Sequence, residues 1–146
     1  MQSTLNQAAI VEEIEGLTHQ LVEAINDRDW TASRWSFVAP TFMIKPRSMT
    51  RPTEGGSTHV TLDEWLDTWK MFAKKNPNFS LQVADISAVV NDKMGTAETL
   101  FNIAVSGVYP GIVTKVVCVL ACQYMRPGKW VPVRHEGLSG ADVIGF

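Results

Sequence analysis

The sequence predicts a single α+β domain in which helices cover one face of a curved, mostly antiparallel sheet. Two observations indicate this class: helical apolar spacing dominates the first half, and four long strand-like segments separated by short turns fill the second half. The length of 146 residues is a third observation. It suits one domain spanning residues 1–146, which would bury roughly 68–70% of the surface that the unfolded chain exposes.

The first helix is predicted from Leu5 to Ile25. Apolar residues recur there at three- and four-residue spacing with glutamates mostly between them, which is the pattern of an amphipathic helix with one buried face. The apolar positions are Leu5, Ile10, Ile14, Leu17, Leu21, Ala24 and Ile25.

A shorter second helix is predicted to follow the first. Asp27 and Asp29 are candidate N-caps for it, since aspartate side chains accept hydrogen bonds from the first free backbone N–H groups. This helix is expected to run through Trp35 or Phe37, and Pro40 stops it. The next segment, "TFMIK", predicts a short strand.

Residues 46–59 are predicted to form a loop, because Gly, Pro, Ser and Thr dominate and no periodicity survives. A loop of this length is often functional, and a mobile surface segment is the alternative. A third helix then starts at the capping box "TLDE", with Thr61 as the cap and Glu64 reaching back, and runs to about Lys75. Its buried stripe is expected to contain Leu62, Trp65, Leu66, Trp69 and Phe72.

Four long strands complete the chain: "FSLQVADISAVV", "TAETLFNIAVSGVY", "IVTKVVCVLACQYM" and "KWVPVRHEGL". The connections are short enough for hairpins, so the strands are predicted to form an antiparallel meander. The third strand, Ile112 to Met125, is apolar on both faces. Because helices can cover only one face, a second copy of the chain is the simplest cover for the other. We therefore expect a homodimer.

Charge and composition exclude several partners. The net charge is -2 and no Lys/Arg run exceeds the pair Lys74-Lys75, so nucleic acid is not an expected partner. The longest apolar run, Val116 to Cys122, is too short to span a membrane, and no secretory signal is recognisable. We expect a cytosolic protein with free thiols at Cys118 and Cys122, without metal or cofactor.

The order of these elements, covering essentially the whole chain, resembles the nuclear-transport-factor-2-like (NTF2-like) superfamily and within it the SnoaL-like proteins. The opening "LVEAINDRDWTASRWSFVAPTFMI" resembles the family's first helix, its polar Asp-Trp step and first strand. "IKPRSMTRP" followed by "LDEWLDTWKMF" is similar to fungal members, and "GKWVPVRHEGL" resembles the last strand. The resemblance implies a cone-shaped barrel in which a strongly bent sheet wraps around the long N-terminal helix, with two further helices.

The resemblance also implies an apolar cavity, pairing through the sheet, and activities of natural-product biosynthesis such as isomerisation, dehydration and ring closure. SnoaL-type aldol cyclases pair a histidine in a Gly-Thr-His-x-Gly turn with an aspartate on the following strand. Tyr109 stands at the position of the histidine and Ala121 at that of the aspartate. Any acid/base chemistry in this chain must therefore use other residues.

His135 is the predicted principal proton-transfer group, because strand alternation sends it to the face of Val131 and Val133. Asp85 is a second acid/base candidate, and Tyr109 is a hydrogen-bond donor at the cavity mouth. The alternative is that Arg134 and Glu136 face the cavity and that the histidine is structural. Residues predicted to bind substrate are Trp65, Trp69, Phe42, Arg134, Glu136, Tyr124 and His59.

Two functions from different classes stay open at this point. The first is a cofactor-free isomerase, cyclase or dehydratase (lyase) that acts on a hydrophobic polycyclic intermediate of polyketide or terpenoid type in secondary metabolism. The second is a non-catalytic module of the same fold that binds a hydrophobic ligand or a protein. "GLSG" lacks the full hydrolase elbow and "EGGST" lacks the Lys of a phosphate-binding loop, so hydrolase and nucleotide-binding functions are excluded.

Overall fold

The structure is a computed structural model that describes residues 4–45, 60–125 and 128–139. It contains two α-helices and one six-stranded sheet, which confirms the predicted α+β class. The helices are α1 (Thr4–Asn26) and α2 (Leu62–Lys75). The strands are β1 (Met43–Lys45), β2 (Val60–Thr61), β3 (Ser80–Asn91), β4 (Thr96–Tyr109), β5 (Ile112–Met125) and β6 (Lys129–Ser139).

The strand order is β2-β1-β6-β5-β4-β3. Strands β3 to β6 form the predicted antiparallel meander, whereas β1 pairs with β6 in parallel, Ile44 lying beside His135. Helix α1 contacts both β3 at one side and β6 further across the sheet, so the sheet curls around the helix. Strands β2 and β3 are the two edges and do not pair with each other within the described residues, so this sheet is open and not a closed barrel.

Helix α1 buries the face that its apolar spacing predicts. Ile14, Leu21 and Ile25 are fully buried. Asn26, the last residue of α1, fixes the helix to the sheet: its Nδ2 donates to the carbonyl of Leu81 at 2.8 Å, and its Oδ1 accepts from the Leu81 N–H at 2.9 Å. The end of α1 is therefore attached to β3 by two hydrogen bonds.

The predicted second helix is a series of hydrogen-bonded turns over residues 32–37 rather than a regular helix. Asp29 does cap this segment, since its Oδ1 accepts from the backbone N–H of Thr31 at 3.1 Å and from its hydroxyl. The Trp35 indole then donates to the Asp29 carbonyl at 2.8 Å. This bond folds Trp35 back against the start of the segment, and the backbone does not extend into regular helical turns.

Helix α2 begins at the predicted capping box. The Glu64 N–H donates to the Thr61 hydroxyl at 3.3 Å, and Glu64 Oε1 accepts from the Thr61 N–H at 3.1 Å. These hydrogen bonds favour the ionised carboxylate and lower the pKa of Glu64 below its usual value. The helix thus starts where the sequence indicates, and it buries Trp65, Leu66 and Trp69.

Strand β6 contains a β-bulge that sets the orientation of its side chains. Arg134 pairs with Ala121, but Pro132 pairs with Cys122, so Val133 is an extra residue on β6. The bulge shifts the alternation by one position. His135 therefore lies on the inner face, which packs on the helices, together with Pro132, while Val133 is on the opposite, outer face. The prediction that Val131 and Val133 share a face with His135 is wrong for this reason.

Candidate functional site

His135 lies in an apolar enclosure on the inner face of the sheet. Its side chain has no exposed surface. The Trp65 ring centroid is 5.1 Å from the His135 ring centroid at an interplanar angle of 34°, and the Phe101 ring lies edge-on at 6.3 Å. Ile44 and Leu120 are its neighbours on the flanking strands. Within the described interior, the imidazole is thus the only group whose ordinary pKa lies near neutral pH.

Burial determines the charge state of His135. Removal from water disfavours the imidazolium and lowers the pKa of His135 from 6.5 to about 3. The ring is therefore neutral at physiological pH, with one N–H donor and one acceptor nitrogen. A neutral imidazole in such surroundings can accept a proton from a carbon acid or donate a hydrogen bond to a carbonyl.

Three of the residues predicted to bind substrate form a continuous aromatic cluster with His135. Trp65 is 6.1 Å from Trp69 and 6.4 Å from Phe42 between ring centroids. The exposed fractions of Trp65, Trp69 and Phe42 are 1%, 2% and 2%. The structure brings these three residues together beside His135, and their role in substrate binding stays a prediction. Because they are packed closed, a ligand can reach His135 only if some of these side chains move.

Thr99 is a further polar residue of this interior, and it is not among the residues predicted from the sequence. Thr99 lies beside Leu120, which in turn lies beside His135, so the three residues form one row across the inner face. At about 4.8 Å per strand, the Thr99 and His135 Cα atoms are about 10 Å apart. The Thr99 hydroxyl is buried and has no hydrogen-bond partner among the described residues. The sequence signal for the burial of Thr99 is its position between the apolar residues Ala97 and Phe101 on one face of the strand.

Asp85 and Tyr109, the other predicted catalytic residues, lie outside this interior. The pairing of β3 with β4 shifts between Val83 and Ile86, and this bulge turns Asp85 to the exposed outer face, where it accepts from Asn102 Nδ2 at 2.9 Å. Tyr109 is at the exposed end of β4 with half of its surface accessible. The structure therefore does not bring either residue near His135.

The remaining predicted ligand-binding residues are also elsewhere. Arg134 and Glu136 lie on the outer face: Arg134 Nε is 4.0 Å from Glu136 Oε2, and Glu136 Oε1 is 3.8 Å from Lys45 Nζ. Tyr124 is 46% exposed and packs edge-on against Trp130 at 5.6 Å, near the end of the sheet. His59 lies outside the described residues. The alternative in which Arg134 and Glu136 face the interior therefore does not apply.

A groove of about 600 Å³ lies on the outer face of the sheet. Its lining includes Val89, Leu100 and Val133, with Glu98 and Arg134 as its charged residues. This groove and the His135 interior are on opposite faces of the same strands. They are separate features of the molecule.

The two cysteines do not contribute reactive groups. Both are buried free thiols. Burial raises the pKa of the Cys118 thiol, and burial together with the negative charge of Glu13 raises the pKa of Cys122 to about 12. Within residues 4–45, 60–125 and 128–139, no group of three or more His, Cys, Asp or Glu side chains could hold a metal ion. In the same part of the chain, no helix is long and apolar enough to cross a membrane.

Solved structures with similar folds cover most of the chain. An NTF2-like protein of unknown function from Pseudomonas putida superposes with a TM-score of 0.67 at 12% identity, over 89% of this chain and 86% of that one. An NTF2-like protein with a cystatin-like fold from Novosphingobium aromaticivorans gives 0.65 at 14%, over 99% and 97%. A protein of unknown function with a cystatin-like fold from Nostoc punctiforme gives 0.65 at 10%, over 92% and 91%.

The fold is therefore that of the NTF2-like, cystatin-like proteins. No protein-family model matches the sequence, and no curated protein does. At identities of 10–14%, structural likeness shows the fold and not the activity. The narrower resemblance to SnoaL-like and fungal proteins stays a prediction.

Proposed function

We propose that the protein is a cytosolic, cofactor-free enzyme that isomerises, dehydrates or cyclises a hydrophobic polycyclic intermediate of polyketide or terpenoid type. The observation that carries the proposal is the neutral, fully buried His135 against the aromatic rings of Trp65 and Phe101. His135 transfers the proton. Burial keeps the imidazole in its neutral, proton-accepting form, and polar groups of a bound substrate would have to stabilise the imidazolium that the transfer creates.

The aromatic residues around His135 favour a flat, mostly apolar substrate. Aromatic rings on two sides of His135 present faces and edges on which a fused ring system stacks, with about 0.5–1.5 kcal/mol per aromatic contact beyond simple burial. The Thr99 hydroxyl is the second polar group in the same row. Leaving a buried hydroxyl unpaired costs about 1–3 kcal/mol, and a substrate oxygen that bonds to Thr99 would offset that cost.

Substrate binding requires the closed aromatic cluster to open. Trp65 and Trp69 have almost no exposed surface, so a ligand that enters must change the surroundings of at least one indole. We expect a polycyclic ligand to shift or quench the tryptophan fluorescence in a saturable manner. A hydrophilic compound of equal size is the control, and it should give no saturable change in fluorescence.

Incubation with polycyclic polyketide and terpenoid intermediates, followed by mass spectrometry and chromatography, tests the activity. The expected result is conversion by the wild type that His135→Gln loses while remaining folded. Conversion that is unchanged in His135→Gln would reject the proposed role of His135. Saturable binding without conversion of any compound would reject the enzyme and favour the second candidate.

The second candidate is a non-catalytic module that binds a hydrophobic ligand or a protein. The observation that favours it is the position of Asp85 and Tyr109 outside the interior. Among the described residues, the buried polar side chains are Thr18, Thr99 and His135, and none is a carboxylate. A reaction that needs two ionisable groups would therefore have to draw one of them from the substrate or from water.

A further inference from the structure

The hairpin between β4 and β5 ends in exposed apolar side chains. We name residues 107–113, "GVYPGIV", the hairpin tip. Tyr109 is 50% exposed, and Ile112 and Val113 are each 58% exposed. Because consecutive strand residues point to opposite faces, the exposure of both Ile112 and Val113 means that no described residue covers either face of the hairpin tip.

The hairpin tip projects past the strands on both sides of it. Strand β3 begins at Ser80, which pairs with Ser106, and the described part of β6 pairs with β5 no further than Val117. Tyr109 and Ile112 pair with each other and close the hairpin. The hairpin tip is therefore a narrow projection whose backbone pairs within the hairpin itself.

No charged side chain interrupts this part of the chain. From Thr99 to Thr114 the sequence contains no Asp, Glu, Lys, Arg or His. A groove of about 420 Å³ beside the hairpin tip, with Asn78 on its other side, is likewise lined by uncharged residues only. The first charged residue after the hairpin tip is Lys115, which is exposed and about 10 Å along the strand from Ile112.

Lysines lie at the base of the hairpin tip. The backbone of Gly107 packs against Asn78, since an added Cβ at Gly107 would meet the Asn78 carbonyl. Helix α2 ends three residues before Asn78 with Lys74 and Lys75, both exposed. Together with Lys115 on β5, these residues give three lysines around an uncharged apolar projection.

The acidic residues at this end of the sheet are balanced by arginines. Asp27 and Asp29 follow α1, and two arginines lie among them in the sequence and in space. Arg34 pairs with Asp27 at 2.8 Å, and Arg28 donates to the Pro77 carbonyl at 3.2 Å. The three lysines are therefore an excess of positive charge here, although the whole chain has a net charge of -2.

We propose that the hairpin tip binds reversibly to the surface of an anionic lipid bilayer. Interfacial segments bury apolar side chains about 5–10 Å deep, so insertion of Ile112 and Val113 brings Lys115 to the level of the headgroup phosphates. Tyrosine, here Tyr109, is a preferred residue at that depth. Such binding needs no spanning segment, and the cytoplasmic leaflet carries the anionic lipids that the lysines attract.

A lipid surface suits the hairpin tip better than a protein partner does. A stable protein interface buries roughly 800 Å² on each partner, which is more than three exposed side chains on a narrow projection offer. A bilayer requires no matching shape and no paired charges within the apolar part. It also combines the two weak signals present here, apolar insertion and lysine attraction, and stable binding requires such a combination.

Co-sedimentation with vesicles of equimolar phosphatidylcholine and phosphatidylserine tests the proposal. The wild type should bind these mixed vesicles and not vesicles of phosphatidylcholine alone, and high salt should release it. Ile112→Ser should weaken binding by about tenfold or more, because a large apolar side chain no longer inserts. Lys115→Glu should weaken it by about tenfold or more, because repulsion replaces attraction.

Met94→Ser and Lys93→Glu are the matched controls. Met94 is 72% exposed and Lys93 is exposed, and both lie in the turn between β3 and β4 at the opposite end of the sheet. Each should bind within about twofold of wild type, since charges further than a Debye length from the membrane are screened. Circular dichroism should show that all variants are folded.

Three outcomes would overturn the proposal. Equal binding to both kinds of vesicle would contradict the role of the lysines, and equal losses in the tip variants and the controls would place the contact elsewhere. No binding to either kind of vesicle would leave the hairpin tip to a protein partner.

A fluorescent label at the hairpin tip measures insertion directly. Cys118 and Cys122 are the only cysteines of the chain and both are buried, so a polarity-sensitive thiol label reacts with the introduced cysteine of Ile112→Cys. Mixed vesicles should shift its emission to the blue, and phosphatidylcholine vesicles should not. The same label on Met94→Cys should not shift with either. Vesicle-bound protein with an unshifted label on Ile112→Cys would show that the hairpin tip does not insert.

Discussion

Substitution of His135 should distinguish a catalytic role of this residue from a role in packing. We expect His135→Ala to lower turnover by about 10²–10⁴-fold, the usual contribution of a positioned general acid or base. The free energy of unfolding should fall by about 1–3 kcal/mol, because a buried ring is lost. Leu120→Ala is the matched control, since Leu120 is equally buried beside His135. It should destabilise the protein by about 2–5 kcal/mol with turnover changed much less. Comparable rate losses in both variants would make His135 a packing residue.

The depressed pKa of His135 also predicts a pH dependence of stability. Its pKa is lowered to about 3 in the folded protein from 6.5, so between these values the unfolded chain binds a proton that the folded chain does not. Acidification from pH 6.5 towards 4 should therefore reduce the free energy of unfolding, by up to about 1.4 kcal/mol per pH unit from this group. Urea titrations of wild type and His135→Gln measure the difference. Parallel pH profiles for the two proteins would contradict the lowered pKa.

Thr99 offers a test of ligand recognition that does not weaken the fold. Thr99→Val removes a buried hydroxyl that has no hydrogen-bond partner among the described residues. Stability should be unchanged or rise by up to about 1 kcal/mol, while ligand affinity or kcat/KM should fall by about tenfold. Thr18→Val is the control variant. The Thr18 hydroxyl is also buried, but it already has a partner, since it donates within α1 to the Ile14 carbonyl at 3.2 Å. Binding that is unaffected by Thr99→Val would exclude Thr99 from the site.

At the scale of elements, the hairpin between β4 and β5 contains two glycines with similar backbone angles but different surroundings. Gly107 has φ +80°, and an added Cβ would lie 2.0 Å from the Asn78 carbonyl oxygen. Gly111 has φ +73° with nothing within 4 Å. Gly107→Ala should therefore lower the free energy of unfolding by about 2–4 kcal/mol and Gly111→Ala by about 1–2 kcal/mol. Thermal or urea unfolding measures both, and equal losses would show that the close approach to Asn78 relaxes freely.

Two β-bulges explain why the structure orients some predicted site residues differently from strand alternation. The four long strands, their antiparallel meander and the α2 cap follow from local apolar patterns and the Thr61–Glu64 pair, so the sequence predicts them, whereas strand β2 (Val60–Thr61) was not predicted. The orientation of Asp85 does not follow, because a bulge in β3 reverses the alternation before it. In β6 another bulge puts His135 on the inner face although Val133 points outward. Neither bulge contains a glycine. Pro132 lies at the β6 bulge, and a proline inside a strand is a local signal for a bulge that the prediction from alternation left unused; the β3 bulge contains neither a glycine nor a proline.

For the molecule as a whole, the α+β class and the antiparallel meander were predictable, and three features were not. The parallel pairing of β1 with β6 depends on residues distant in sequence. The turns at residues 32–37 depend on a hydrogen bond donated by the Trp35 indole, which helix propensities do not take into account. The closed packing of Trp65 and Trp69 depends on which side chains meet in three dimensions, and an apolar stripe on α2 predicts burial without predicting contact with His135.

The parallel pairing of β1 with β6 has a consequence for the order of folding. Met43 pairs with Arg134, 91 positions later in the chain, and Ile44 and His135 become neighbours in the same step. Contacts between such distant residues carry a large loop-closure cost and form late and slowly. The hairpins of β3, β4 and β5 can form before β6 is in place, whereas the surroundings of His135 cannot. During refolding, hydrogen exchange should therefore protect the amides of β3 to β5 earlier than those of β1.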